Sequence, residues 1–104
     1  MCNSAVVIGK ELSNYSFGGK HPLNSSRLEA FWSKLTLSEA MRSGSLKLLS
    51  PALADERTVS SFHENDYMNF VKKSSVNGSG YLDSGDTPSF KGVFDASLYV
   101  VGST

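Results

Sequence analysis

Apolar and polar positions fall in blocks that predict strand, helix, strand and then a run of helices. Ala5-Val6-Val7-Ile8 is a β-branched run closed by Gly9. It predicts a short buried strand that could continue to Leu12. Asn14 to Asn24 is rich in Gly, Ser, Asn and aromatic residues and holds Gly18-Gly19 and Pro22. It reads as a loop whose backbone needs unusual dihedrals. Ser26-Arg27-Leu28-Glu29 fits a capping box, with Glu three residues after Ser. Leu28, Phe31, Trp32 and Leu35 follow at the i, i+3, i+4, i+7 spacing of one buried helical stripe. A new cap at Thr36–Ser38 would break this helix before Glu39, and Gly44 would stop it. Leu46-Lys47-Leu48-Leu49, ended by Pro51, predicts a second strand. Strand, helix, strand is a candidate βαβ unit with parallel strands and a right-handed crossover.

Beyond Pro51 the spacing turns helical. Asp55 caps a short helix with Val59 and Phe62 on its inner face. A further helix starts near Asn65 or Asp66, buries Tyr67, Phe70 and Val71, and ends at Lys72-Lys73. Its acid at the start and base at the end suit the helix dipole. Ser74 to Lys91 reads as one long irregular stretch, containing Gly78, Gly80, Gly85 and Pro88. A loop of that length in a small domain is usually functional or disordered. Gly92 to Val101 predicts a last helix with hardly any polar face. Such a helix should be buried on all sides, and the sequence offers no evident partner for it.

Composition limits the function classes. At 104 residues the chain is one domain at most. Ten basic residues balance ten acidic ones, and Lys72-Lys73 is the only basic pair. That argues against bulk capture of nucleic acid or of an anionic membrane. Zero net charge gives little protection against self-association. One cysteine, Cys2, excludes an internal disulfide and a four-cysteine zinc site. Cytoplasmic residence is the expectation. The early run Ala5–Ile8 is too short for a signal-peptide core or a membrane span.

Candidate chemistry is sparse. His21 and His63 lie in no metal-ligand spacing. His21 reads as a loop histidine whose ring nitrogens fix the turn around Pro22. His63, between Phe62 and Glu64, reads as a partly buried histidine at a helix junction. The sequence contains no nucleophile elbow, phosphate loop or dinucleotide fingerprint. Asp83 and Asp86 stand three apart in the Gly/Ser loop. Paired carboxylates suit acid–base work, but loop aspartates more often accept backbone N–H bonds and hold a turn.

Three segments, in order, resemble one family. They are Tyr15 to Leu28, with Gly18-Gly19-Lys20-His21-Pro22; Glu56 to Tyr67, with Ser61-Phe62-His63-Glu64; and Gly85 to Ala96, with Gly85-Asp86-Thr87-Pro88, running on to Gly102-Ser103-Thr104. Together they look like the opening part of the zinc-dependent histone deacetylase superfamily, acetoin utilization type. The chain departs from that pattern at Asn24-Ser25-Ser26, where relatives often carry proline, and at Gly80-Tyr81, whose order is reversed. The resemblance implies an α/β fold. Residues 1–104 would be a single incomplete domain, the N-terminal segment of a three-layer parallel-sheet deacetylase/arginase-like fold. It would be mostly helical, with two short parallel strands.

The resemblance also implies a chemistry, metal-assisted hydrolysis of an acyl amide. The family's zinc ligands and tandem histidines match no residues here, so no catalytic or metal-binding residue is assigned and no zinc is expected on this chain. Two residues carry over: Asp86 matches a rim-loop aspartate that accepts hydrogen bonds from the substrate backbone, and Arg27 matches an arginine lining an internal channel. For Arg27 a purely local role, bonding loop carbonyls at a helix start, is compatible with the same position. The expected role is an N-terminal part of a deacetylase-like amidohydrolase, catalytically incomplete alone. Its partner would be the remainder of the domain or a second copy of itself, and an acylated amine would be substrate only once the domain is completed. A stand-alone module that self-associates through its apolar last helix is the alternative. A small metalloenzyme built on His21, His63 and loop aspartates ranks third.

Overall fold

The computed structural model describes residues 4–104, so Cys2 lies outside the described residues. Two compact units are present, one ending at Pro51 and the other formed by Ala52–Thr104.

The first unit is built on a parallel strand pair. Strand β1 (Ser4–Val7) and strand β2 (Leu46–Leu49) pair in register from Ser4 with Leu46 to Val7 with Leu49. The Ile8 N–H extends the ladder to the Leu49 carbonyl at 3.0 Å. The strand does not run to Leu12. Beyond Gly9 the chain turns into a 3-10 helix, Lys10–Asn14, whose Leu12 N–H closes on the Gly9 carbonyl.

Helix α1 (Ser26–Thr36) follows the loop, but not through the expected capping box. Ser26 is already helical, and the side chain of Asn24 takes its backbone N–H at 3.0 Å and its hydroxyl. An Asn two residues before the helix satisfies that donor locally, so the Ser–Glu exchange is not needed. Helix α2 (Glu39–Arg42) starts where the second cap was expected, with the Ser38 hydroxyl accepting from the Met41 N–H at 3.3 Å. The stripe of α1 is not buried: Phe31 is 48% exposed and Trp32 38%. The sheet is equally open, with Leu48 and Leu49 each 40% exposed. Between α1 and the carboxyl ends of both strands lies a groove of about 470 Å³, lined by Leu28, Trp32, Leu48 and Leu49 among others.

The second unit contains helix α3 (Glu56–Ser60), helix α4 (Asn65–Asn77) and helix α5 (Val93–Ser103). Asp55 caps α3 as expected, accepting the Thr58 N–H at 2.8 Å. Phe62 falls outside that helix and is 86% exposed, not on an inner face. Helix α4 continues past Lys73 to Asn77, and its buried positions are Met68 and Val71. Tyr67 and Phe70 are 42% and 46% exposed, so the inward stripe is rotated from the one expected. The reason is the neighbour: α4 packs against α5, whose Val93, Ala96 and Leu98 are buried. Helix α5 is therefore not without a partner in the chain. Its Leu98 carbonyl also accepts the Ala54 N–H at 3.0 Å. Val100 and Val101 of the same helix remain 38% and 40% exposed.

Candidate functional site

The loop between α4 and α5 carries Asp83 and Asp86, and it is ordered from both ends. Gly78 ends α4 in the left-handed region, with its N–H on the Ser74 carbonyl at 2.7 Å. Any Cβ there would also lie 2.9 Å from the Lys91 nitrogen, so glycine is required twice over. Ser89, buried at the root of the loop, donates its hydroxyl to the Ser74 carbonyl at 3.0 Å. The Ser75 hydroxyl accepts the Phe94 N–H at 3.1 Å and so ties the start of α5 to the end of α4.

From this root the loop doubles back on itself. Tyr81 and Pro88 form an antiparallel bridge, and the Leu82 N–H meets the Thr87 carbonyl at 2.8 Å. Inside the bend sits the Asp83 carboxylate. Its Oδ1 accepts the backbone N–H groups of Gly85 (3.0 Å), Asp86 (2.9 Å) and Thr87 (2.9 Å). Its Oδ2 accepts the Thr87 hydroxyl at 2.7 Å. Donors converging on a carboxylate favour its charged form. The Thr87 and Gly85 N–H groups, followed by the Thr87 hydroxyl, hold the Asp83 carboxyl well below the usual carboxylate range.

The two aspartates thus separate in role. Asp83 holds the turn, as expected for a loop aspartate. Asp86 is exposed at the tip, and its backbone N–H is one of the groups that Asp83 binds. The Tyr67 hydroxyl reaches the Leu82 carbonyl at 3.4 Å, which adds a contact from α4. Sequence reasoning missed Ser74, Ser75, Ser89 and Tyr67 as the anchors of this loop. A signal for Asp83 was present: Asp with Gly two and Thr four positions later suits a side chain that folds back on its own backbone.

The other singled-out residues lie elsewhere. Arg27 is exposed, the second residue of α1, with its backbone N–H on the Asn24 carbonyl at 3.3 Å. His21 performs the expected turn role: its Nδ1 accepts the Leu23 N–H at 3.1 Å, and its ring packs edge-on to Phe17 at 4.9 Å. His63 stands at the junction of α3 and α4 as expected, but it is exposed rather than partly buried. Its ring lies between those of Phe62 and Tyr67, at 4.8 and 5.7 Å. Among the described residues no three of His, Cys, Asp and Glu come together to hold a metal ion. Likewise, no helix of the described residues is long and apolar enough to cross a membrane.

No family model matches the chain. Over its whole length it is 30% identical, across 111 aligned positions, to acetoin utilization protein AcuC of Bacillus subtilis. It is 33% identical, over 95% of its length, to acetoin utilization protein AcuC of Staphylococcus xylosus. The chain resembles acetoin utilization proteins throughout. This is the deacetylase-superfamily likeness that the three ordered segments carry. The chain spans 28% of the first relative and 27% of the second, about a quarter of each.

Proposed function

We propose that this chain forms one segment of a deacetylase-type amidohydrolase domain and supplies part of its substrate rim. The observation that carries the reading is the match of 95–100% of the chain to about a quarter of two acetoin utilization proteins. The mixed fold with parallel strands is compatible with the three-layer architecture that such a domain has. In this reading Asp86 is the rim residue. It is exposed at the tip of a loop whose backbone is fixed from within, where its carboxylate can accept N–H groups of an acylated amine substrate. Arg27 takes the role of a channel-lining cation once the rest of the domain is present.

The zinc of the family does not fit the residues described here, since no ligand set assembles among them. No step through a metal is assigned to this chain. Metal binding and bond cleavage fall to the remainder of the domain, and the contribution of this segment is recognition and scaffold. That remainder is also its proposed partner, because the open faces of α1 and β2 need covering.

The test is a chimera in which this chain replaces the matching quarter of the Bacillus subtilis protein. Zinc-dependent deacylation of an acetyl-lysine peptide is expected to survive the exchange. Asp86→Ala in that chimera is expected to raise KM about tenfold, the loss of a hydrogen bond to a charged acceptor. A folded, zinc-loaded chimera with no deacylase activity would sink the reading.

A further inference from the structure

We propose that Asp83 is the positioning residue of the rim, fixing Asp86 for substrate by binding the backbone N–H groups on either side of it and its own. The inference rests on the reading of Asp86 as a rim residue and adds what sets its geometry. Asp83 Oδ1 accepts from Gly85, Asp86 and Thr87 at 2.9–3.0 Å, and Oδ2 accepts from the Thr87 hydroxyl. One carboxylate therefore ties down three consecutive peptide units centred on Asp86. The bend is closed beyond them by the Leu82–Thr87 bond and the Tyr81–Pro88 bridge.

Without Asp83 the tip loses the internal contacts that link residues 85–87 to residue 83. The root does not depend on it, since Ser89 and Ser75 anchor the loop separately. Loss of Asp83 should therefore loosen the tip while leaving α4 and α5 in place. A recognition residue on a loosened tip must be ordered again each time substrate binds, which weakens binding without altering the bond-breaking step. Asp83 does not itself need to touch the substrate.

Two measurements test this, the first on the full chain alone. Amide proton shifts and hydrogen exchange of Gly85, Asp86 and Thr87 are compared in the parent chain, Asp83→Ala and Asp83→Asn. Asp83→Ala is expected to move all three amide shifts and speed their exchange about tenfold or more, with Val93 and Val71 amides unchanged. Asp83→Asn keeps one acceptor oxygen and should restore part of the protection. Unchanged amides at 85–87 in Asp83→Ala overturn the inference.

The second measurement uses the chimera. Asp83→Ala should raise KM with kcat nearly constant, and the double variant with Asp86→Ala should be no worse than Asp86→Ala alone. An effect of Asp86→Ala with none of Asp83→Ala overturns the positioning role and leaves the rim reading standing. No effect of Asp86→Ala on KM removes the rim reading and this inference with it. The amide measurement then still reports whether Asp83 holds the tip.

Discussion

Asp83 shows how one side chain can order a loop that has no regular structure. Its carboxylate binds three backbone N–H groups and one hydroxyl while remaining solvent-exposed. The sign of its pH dependence follows. Its folded-state pKa is depressed below the ordinary value of 3.8, so its stabilising contribution is complete above that value. The contribution falls away as pH drops through the ordinary value towards the depressed one. Asp55 behaves alike: the Thr58 hydroxyl, with the Thr58 N–H, lowers its pKa. The contribution of these two carboxylates to the second unit should be complete above the ordinary carboxylate range and fall away below it. Asp83→Asn should flatten that acid limb in a denaturant series taken at several pH values. A stability rising steadily with acid would contradict these assignments.

At the scale of elements, the caps and close contacts give direct tests. Ser38→Ala removes the N-cap of α2 and should cost about 1 kcal/mol in the first unit. Val93, the first residue of α5, is fully buried, and Val93→Ala should cost about 2 kcal/mol from lost burial and the cavity left behind. Val76, 76% exposed on α4, is the control: Val76→Ala should stay within about 0.5 kcal/mol of the parent. Gly102 is a tighter site. A Cβ there would collide with the Ala52 carbonyl oxygen and the Ala54 nitrogen, so Gly102→Ala must displace the Ala52–Ala54 segment. Thermal unfolding of the four variants checks the order.

The same elements show where the sequence was legible. The span of β2, the break before Glu39 and the Asp55 cap were readable because each is decided within a few residues. The Ser26 capping box failed because Asn24, also local, competes for the same donor. The inner face of α4 was not readable locally. Tyr67, Phe70 and Val71 fit a helical stripe as well as Met68 and Val71 do, and packing against α5 chose between them. In the loop, the turn role of Asp83 was legible from its residue type. The anchoring by Ser74, Ser75 and Ser89 depends on two helix ends meeting, which no spacing encodes.

At the scale of the molecule, each unit leaves apolar surface open. In the first, Phe31, Trp32, Leu48 and Leu49 are 38–48% exposed, although a parallel strand pair is normally covered on both faces. In the second, Phe70, Val100 and Val101 are similarly open. Burying a large apolar side chain contributes ~1.5–3 kcal/mol, so these faces favour a covering partner. The chain alone should bind an apolar fluorescent dye, and the dye should be displaced when the part of the Bacillus subtilis protein that this chain does not match is supplied. Dye binding that the added segment leaves unchanged would argue against that segment as the covering partner.

The most direct measurement mixes this chain with the rest of the Bacillus subtilis protein as a separate polypeptide and follows deacylation of an acetyl-lysine peptide. Zinc-dependent activity is expected only in the mixture, falling about tenfold when Asp86 is replaced by Ala at substrate concentrations below KM. Stable association of the two folded pieces without activity, at any zinc or peptide concentration, would contradict it.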